Sequence, residues 1–145
     1  MKFSHLSNVT KNIPCQLLVI GMSMMTLFTS ASHAAPLLKC SVSYAGSTQI
    51  IETSITSKPY DVASVDIGER FRFKAIMVGV GNQIDYIKLY AYFQTRQNDI
   101  PIHQATYLPP FTSSNAPLKL TPFNHLYAGE VERELQYQCT LQGTA

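Results

Sequence analysis

From Leu38 onward apolar and polar residues alternate, and a period of two leaves extended strands as the regular structure able to bury the apolar half. Leu38, Cys40, Val42 and Tyr44 fall on one face, with Lys39, Ser41 and Ser43 on the other. Glu69 to Val78 repeats the pattern, setting Phe71, Phe73, Ala75 and Met77 against Arg70, Arg72 and Lys74. Ile84 to Thr95 sets Ile87, Leu89, Ala91 and Phe93 against Tyr86, Lys88, Tyr90, Tyr92 and Gln94. Val131 to Leu141 sets Val131, Arg133, Leu135, Tyr137, Cys139 and Leu141 against Glu132, Glu134, Gln136 and Gln138. Thr48 to Thr56 is rich in β-branched residues and reads as a further strand. No segment carries a helical stripe.

Turn chemistry punctuates these runs. The short Gly79-Val80-Gly81-Asn82-Gln83 linker predicts a hairpin between its two flanking strands. Lys58-Pro59-Tyr60-Asp61 and Asp66-Ile67-Gly68 turn the chain. Ile100 to Leu108 reads as a strand that Pro101 confines to an edge or to its first residues. Pro109 to Pro122 reads as a long irregular loop, and Leu126 to Gly129 as a short strand or turn. Six to seven such strands predict an all-β fold, an antiparallel β-sandwich occupying residues 35–145 as a single domain.

Residues 1–34 have the order of a secretory signal peptide. Lys2 and Lys11 precede the apolar run Leu17 to Phe28, which is short for a bilayer span. Ser32 and Ala34 place small residues where a signal peptidase reads, so the expected mature chain starts at Ala35 and is periplasmic or secreted. Leu37-Leu38-Lys39-Cys40 is no lipobox, because Lys39 stands where a small residue is required. Losing Lys2 and Lys11 takes the eleven basic residues to nine, level with nine acidic ones. A chain without net charge has no field to gather nucleic acid, and that class of partner is set aside. No later apolar run is long enough for a transmembrane segment.

Cleavage would remove Cys15 and leave Cys40 and Cys139, one near each end of the mature chain. Two cysteines in an exported protein predict a disulfide that brings the terminal strands together. Tyr137-Gln138-Cys139 resembles the Tyr-x-Cys of an immunoglobulin F strand, and Lys39-Cys40-Ser41-Val42 resembles its B strand. The resemblance covers only those two stretches. The cysteines are farther apart than in that family and no tryptophan is present to pack on the bridge, so it implies a sandwich of immunoglobulin-like shape and not membership.

Catalytic and metal-binding patterns are sparse. Only His103 and His125 would survive cleavage, and neither has carboxylates at a metal-ligand spacing nearby, so no metal or cofactor is expected. Both read as surface histidines. A small periplasmic hydrolase or metal-binding protein built on either is the alternative to a non-enzymatic role. Gly79-Val80-Gly81 lacks the remaining glycine, lysine and helix of a phosphate loop, and no serine sits in a nucleophile elbow.

The pattern with chemical content is the outward face of the predicted hairpin. Placing Phe71 and Phe73 beside Leu89 and Ala91 forces Arg70, Arg72 and Lys74 to share the opposite face with Tyr86, Lys88, Tyr90 and Tyr92. Aromatic rings offer contact area at small entropic loss, and cations bond carboxylate, sulfate or phosphate. The expected role is binding, with a protein partner or an anionic glycan. The plainer reading is a self-satisfied sheet surface in which Glu132 and Glu134 neutralise Arg70 and Arg72, provided the last strand is adjacent.

Overall fold

The computed structural model describes residues 34–112 and 116–143. Apart from Ala34, the expected signal peptide lies outside the described residues, as do Ser113, Ser114 and Asn115 of the expected loop. The described chain is all-β, with strands β1 (Leu37–Tyr44), β2 (Ser47–Thr56), β3 (Val65–Ile67), β4 (Phe71–Val80), β5 (Gln83–Gln94), β6 (Asp99–Tyr107), β7 (Leu118–Lys119), β8 (Asn124–Ala128) and β9 (Arg133–Gln142). Pro59–Asp61 forms one turn of 3-10 helix.

The strands follow the spatial order β6-β5-β4-β2-β1-β9-β7, with β3 beside β4 and β8 beside β9. β2 lies antiparallel to β1 from Ser47 to Ser54, then continues so that Ile55 and Thr56 pair in parallel with Met77 and Val78 of β4. One strand thus serves both halves of the sheet. The sheet curls into a nearly closed, barrel-like form around a core that includes Leu38, Val42, Phe71, Phe73, Met77, Leu89, Tyr137 and Leu141.

The parallel step corrects the wholly antiparallel expectation. It escaped the sequence because a parallel pairing needs a long crossover, here residues 57–70, which carries only a single 3-10 turn in place of the α-helix that usually announces one. Nine strands replace six or seven. The two extra are the three-residue β3 and the two-residue β7, both too short to display alternation. β7 lies inside the expected irregular loop, and β9 starts at Arg133 because Val131 belongs to the preceding turn.

The expected disulfide is present. Cys40 and Cys139 are directly opposed on β1 and β9, 4.0 Å apart at Cα and both fully buried. The bridge therefore joins neighbours within the sheet and not two facing layers, unlike the inter-sheet bridge of immunoglobulin domains. Thr121 secures the outer side of the same position, its Oγ1 accepting a 2.9 Å bond from the Cys139 backbone N–H. Aromatic contacts cross the interior: Tyr44 meets Phe71 edge-on at 5.2 Å, and Phe73 meets Tyr137 at 5.1 Å. Such pairs contribute roughly 0.5–1.5 kcal/mol each beyond their buried area.

The expected β4–β5 hairpin is present, and its register sets Phe71 opposite Phe93, Phe73 opposite Ala91 and Ala75 opposite Leu89. Its connection is Gly81-Asn82, with Gly81 at φ 60°. A bulge between Val78 and Gly79 brings the partner strand so close that a Cβ on Gly79 would lie 2.0 Å from the Gln83 carbonyl oxygen. Only glycine fits there.

Candidate basic and aromatic groove

Cross-strand pairing fixes the outward face residue by residue. Arg72 stands opposite Tyr92, Lys74 opposite Tyr90, Ile76 opposite Lys88 and Val78 opposite Tyr86. Tyr90 and Tyr92 present near-parallel rings 6.2 Å apart and 17° between planes. Lys88 Nζ lies 5.5 Å from the centre of the Tyr86 ring, within reach of a cation–π attraction.

Ile76 breaks the alternation. Its register places it on the outer face, yet it is only 5% exposed. The Pro59–Asp61 turn packs against β4 and walls a groove of about 280 Å³ whose lining includes Tyr60, Lys74, Ile76, Lys88, Tyr90 and Tyr92. Lys58 holds this turn through its carbonyl, which accepts a 3.2 Å bond from the Asp61 N–H. Tyr60 stands on it 95% exposed. Among the described residues, neither Lys74 nor Lys88 forms an ion pair.

Of the expected face residues, Tyr86, Lys88, Tyr90 and Tyr92 line the groove, while Arg70 and Arg72 lie outside it. Arg70 sits in the turn before β4, exposed, with Nη1 donating to the Glu69 carbonyl at 2.8 Å. Arg72 Nε lies 3.2 Å from Asp99 Oδ2, close enough for charge attraction but outside hydrogen-bond geometry, and its Nη1 donates weakly to Ser64 Oγ at 3.4 Å. The expected neutralisation of arginines by Glu132 and Glu134 is corrected for Arg72: β9 is no neighbour of β4, and Asp99 at the start of β6 takes that place. Burial, with the phenol of Tyr90 and the carboxylate of Asp99 nearby, pushes the Tyr92 phenol above its ordinary range.

Pro59, Tyr60 and Ile76 were missed as groove residues. The proline-led turn was visible in the sequence, but its landing on β4 depends on a long-range packing no local pattern reports.

The histidines differ from two free surface side chains. His103 pairs in register with buried Ala91, so its ring points inward, and Nε2 lies 2.7 Å from the Tyr137 hydroxyl. Burial lowers the His103 pKa and raises that of Tyr137. Both directions favour a neutral pair in which the phenol donates to the imidazole. His125 lies on β8, with Nδ1 hydrogen-bonded to Glu134 Oε1, to which the Tyr127 hydroxyl also donates at 3.0 Å. Those bonds, the one to His125 first, hold the Glu134 carboxyl below its usual range.

A larger depression of about 460 Å³ lies over β1, β2 and β9, lined by Ser43, Tyr44, Thr48, Glu134 and Gln136 among others. It contains no cation, and its one carboxylate already accepts from His125 and Tyr127. Charge without a partner is found instead in the β4–β5 groove. Among the described residues, no group of three or more His, Cys, Asp or Glu could hold a metal ion, and no helix is long and apolar enough to cross a membrane.

No protein-family model matches this chain, and neither a curated protein nor a solved structure does.

Proposed function

We propose that this chain is an exported, non-enzymatic binding protein, periplasmic or secreted after loss of residues 1–34, whose working surface is the outward face of β4 and β5. Its partner is a protein or an anionic glycan. One observation carries the reading: Lys74 and Lys88 stand without acidic partners among the described residues, in a groove walled by tyrosines. A sheet surface built only for stability would pair its cations across strands, as Lys39 does with Glu52 at 2.8 Å and Arg72 with Asp99. In the groove that pairing is left to a ligand. For architecture, we read the two halves of the curled sheet as a sandwich, immunoglobulin-like in shape alone, a reading supported by the aromatic contacts across its interior.

Binding outranks catalysis here because both histidines are committed to structural partners, His103 to Tyr137 and His125 to Glu134. The testing experiment is partner capture from envelope and culture extracts, comparing wild type with Lys74→Ala/Lys88→Ala. Loss of capture in the variant supports the reading. Equal capture by both removes this face.

A further inference from the structure

We infer that the β4–β5 groove seats a single sugar ring carrying a carboxylate or sulfate; this rests on the binding reading above and names its ligand. The backbone beneath the groove is already largely spent. β5 is hydrogen-bonded to β4 on one side and β6 on the other from Ile87 to Phe93, while the second side of β4 is paired with β3 at Phe71–Phe73 and with β2 at Met77–Val78, which leaves only Lys74–Ile76 without a strand partner there. An extended peptide gains affinity by adding main-chain bonds along a free sheet edge, and this floor offers at most the three residues Lys74–Ile76, against which the Pro59–Asp61 turn already packs. Recognition falls to side chains.

Those side chains suit an anionic ring. Tyr90 and Tyr92 present near-parallel phenol faces, which give apolar contact to the C–H face of a pyranose at little entropic loss. Lys74 and Lys88 are diagonal neighbours across the strand pair, a relationship that separates positions by roughly 7–8 Å and lets two long ammonium side chains converge on one anionic group. Neither has another acidic partner among the described residues.

Size and cover agree. At about 280 Å³ the groove falls below the roughly 300–1,000 Å³ of pockets that enclose drug-sized ligands, so it takes one ring while the rest of a glycan remains outside. Tyr60 stands at its rim with its ring in solvent, on a turn whose proline fixes the backbone. It is placed to close on the exposed face of a seated ring.

The test titrates the disulfide-bonded protein with glucuronate, glucose, inorganic sulfate and a nucleoside monophosphate. Tyrosine fluorescence and amide shifts report binding, the former unmasked because the chain has no tryptophan. Glucuronate is expected to bind at least about tenfold more tightly than glucose or sulfate, since only it uses both rings and cations. Lys74→Met/Lys88→Met should abolish the preference over glucose, and Tyr60→Ala, on a side chain that supports no core contact, should weaken glucuronate. Equal affinity for glucose, equal affinity for sulfate, or tighter binding of the nucleotide each overturns the inference. If no probe binds while partner capture still depends on Lys74 and Lys88, the sugar ring is overturned and the binding face stands. If capture is also indifferent to those lysines, both fall.

Discussion

The Tyr137 hydroxyl on β9 and His103 Nε2 on β6 share a 2.7 Å hydrogen bond across the interior of the curled sheet. It ties two strands distant along the sheet order and supplies a partner to a phenol whose residue is only 1% exposed. His103→Ala would leave that phenol without its bond, and a loss of about 1–3 kcal/mol is expected in denaturant unfolding.

The same pair predicts a pH dependence. Burial depresses the folded His103 pKa below the ordinary histidine value of about 6.5, so in acid the unfolded chain binds the proton more readily than the folded one. The stabilising contribution is complete above about pH 6.5 and is lost as pH falls through the depressed folded value. His103→Gln should flatten the melting temperature across that window; an unchanged slope would place the titration elsewhere. Glu134, also depressed, acts in a more acidic window, below its own unfolded value.

Cys40 and Cys139 are 99 residues apart in sequence and opposite in register. For a closed loop of about 100 residues the chain-entropy model gives at most about 4.7 kcal/mol. Cys40→Ala/Cys139→Ala is expected to lower stability by about 2–5 kcal/mol, and alkylation of the native protein should spare both positions. Ready alkylation of either contradicts the bridge.

Arg72 and Asp99 form a half-exposed pair, and exposed pairs contribute about 0–1 kcal/mol. Asp99→Asn should change stability by less than about 1 kcal/mol and leave groove binding intact, since neither residue lines the groove. A large loss of binding, measured by titration, would extend the working surface beyond the groove.

Alternation was enough to reveal the long strands, the β4–β5 hairpin and the face that carries Tyr86 to Tyr92, because those features repeat every two residues, whereas any even register would have satisfied the same pattern. His103 was misplaced. A bulge between Ala91 and Tyr92 leaves Ile102 as an extra residue in β6, and the inward phase passes to His103, Ala105 and Tyr107. Ile76 was hidden for another reason, being covered by a turn fifteen or more residues earlier in the chain. The parallel step at Ile55 and Thr56 is two residues long, too brief for any periodicity. Bulges, distant cover and short pairings are tertiary facts.

Core and face should separate under mutation. Phe73 is fully buried against Tyr137, and Phe73→Ala is expected to cost about 3–5 kcal/mol of stability. Tyr90 is only half-buried on the outer face, so Tyr90→Ala should cost less than about 1 kcal/mol. Thermal or denaturant unfolding of the two variants checks the order, and a larger loss for Tyr90 would mark its ring as structural.

The central claim is that this outer face binds. It is tested most directly by measuring affinity for the captured partner with wild type and with Lys74→Ala/Lys88→Ala/Tyr90→Ala at matched foldedness. The account predicts a loss of about 2 kcal/mol or more, roughly thirtyfold in Kd, while the melting temperature changes little. Unchanged affinity in a folded triple variant would contradict it.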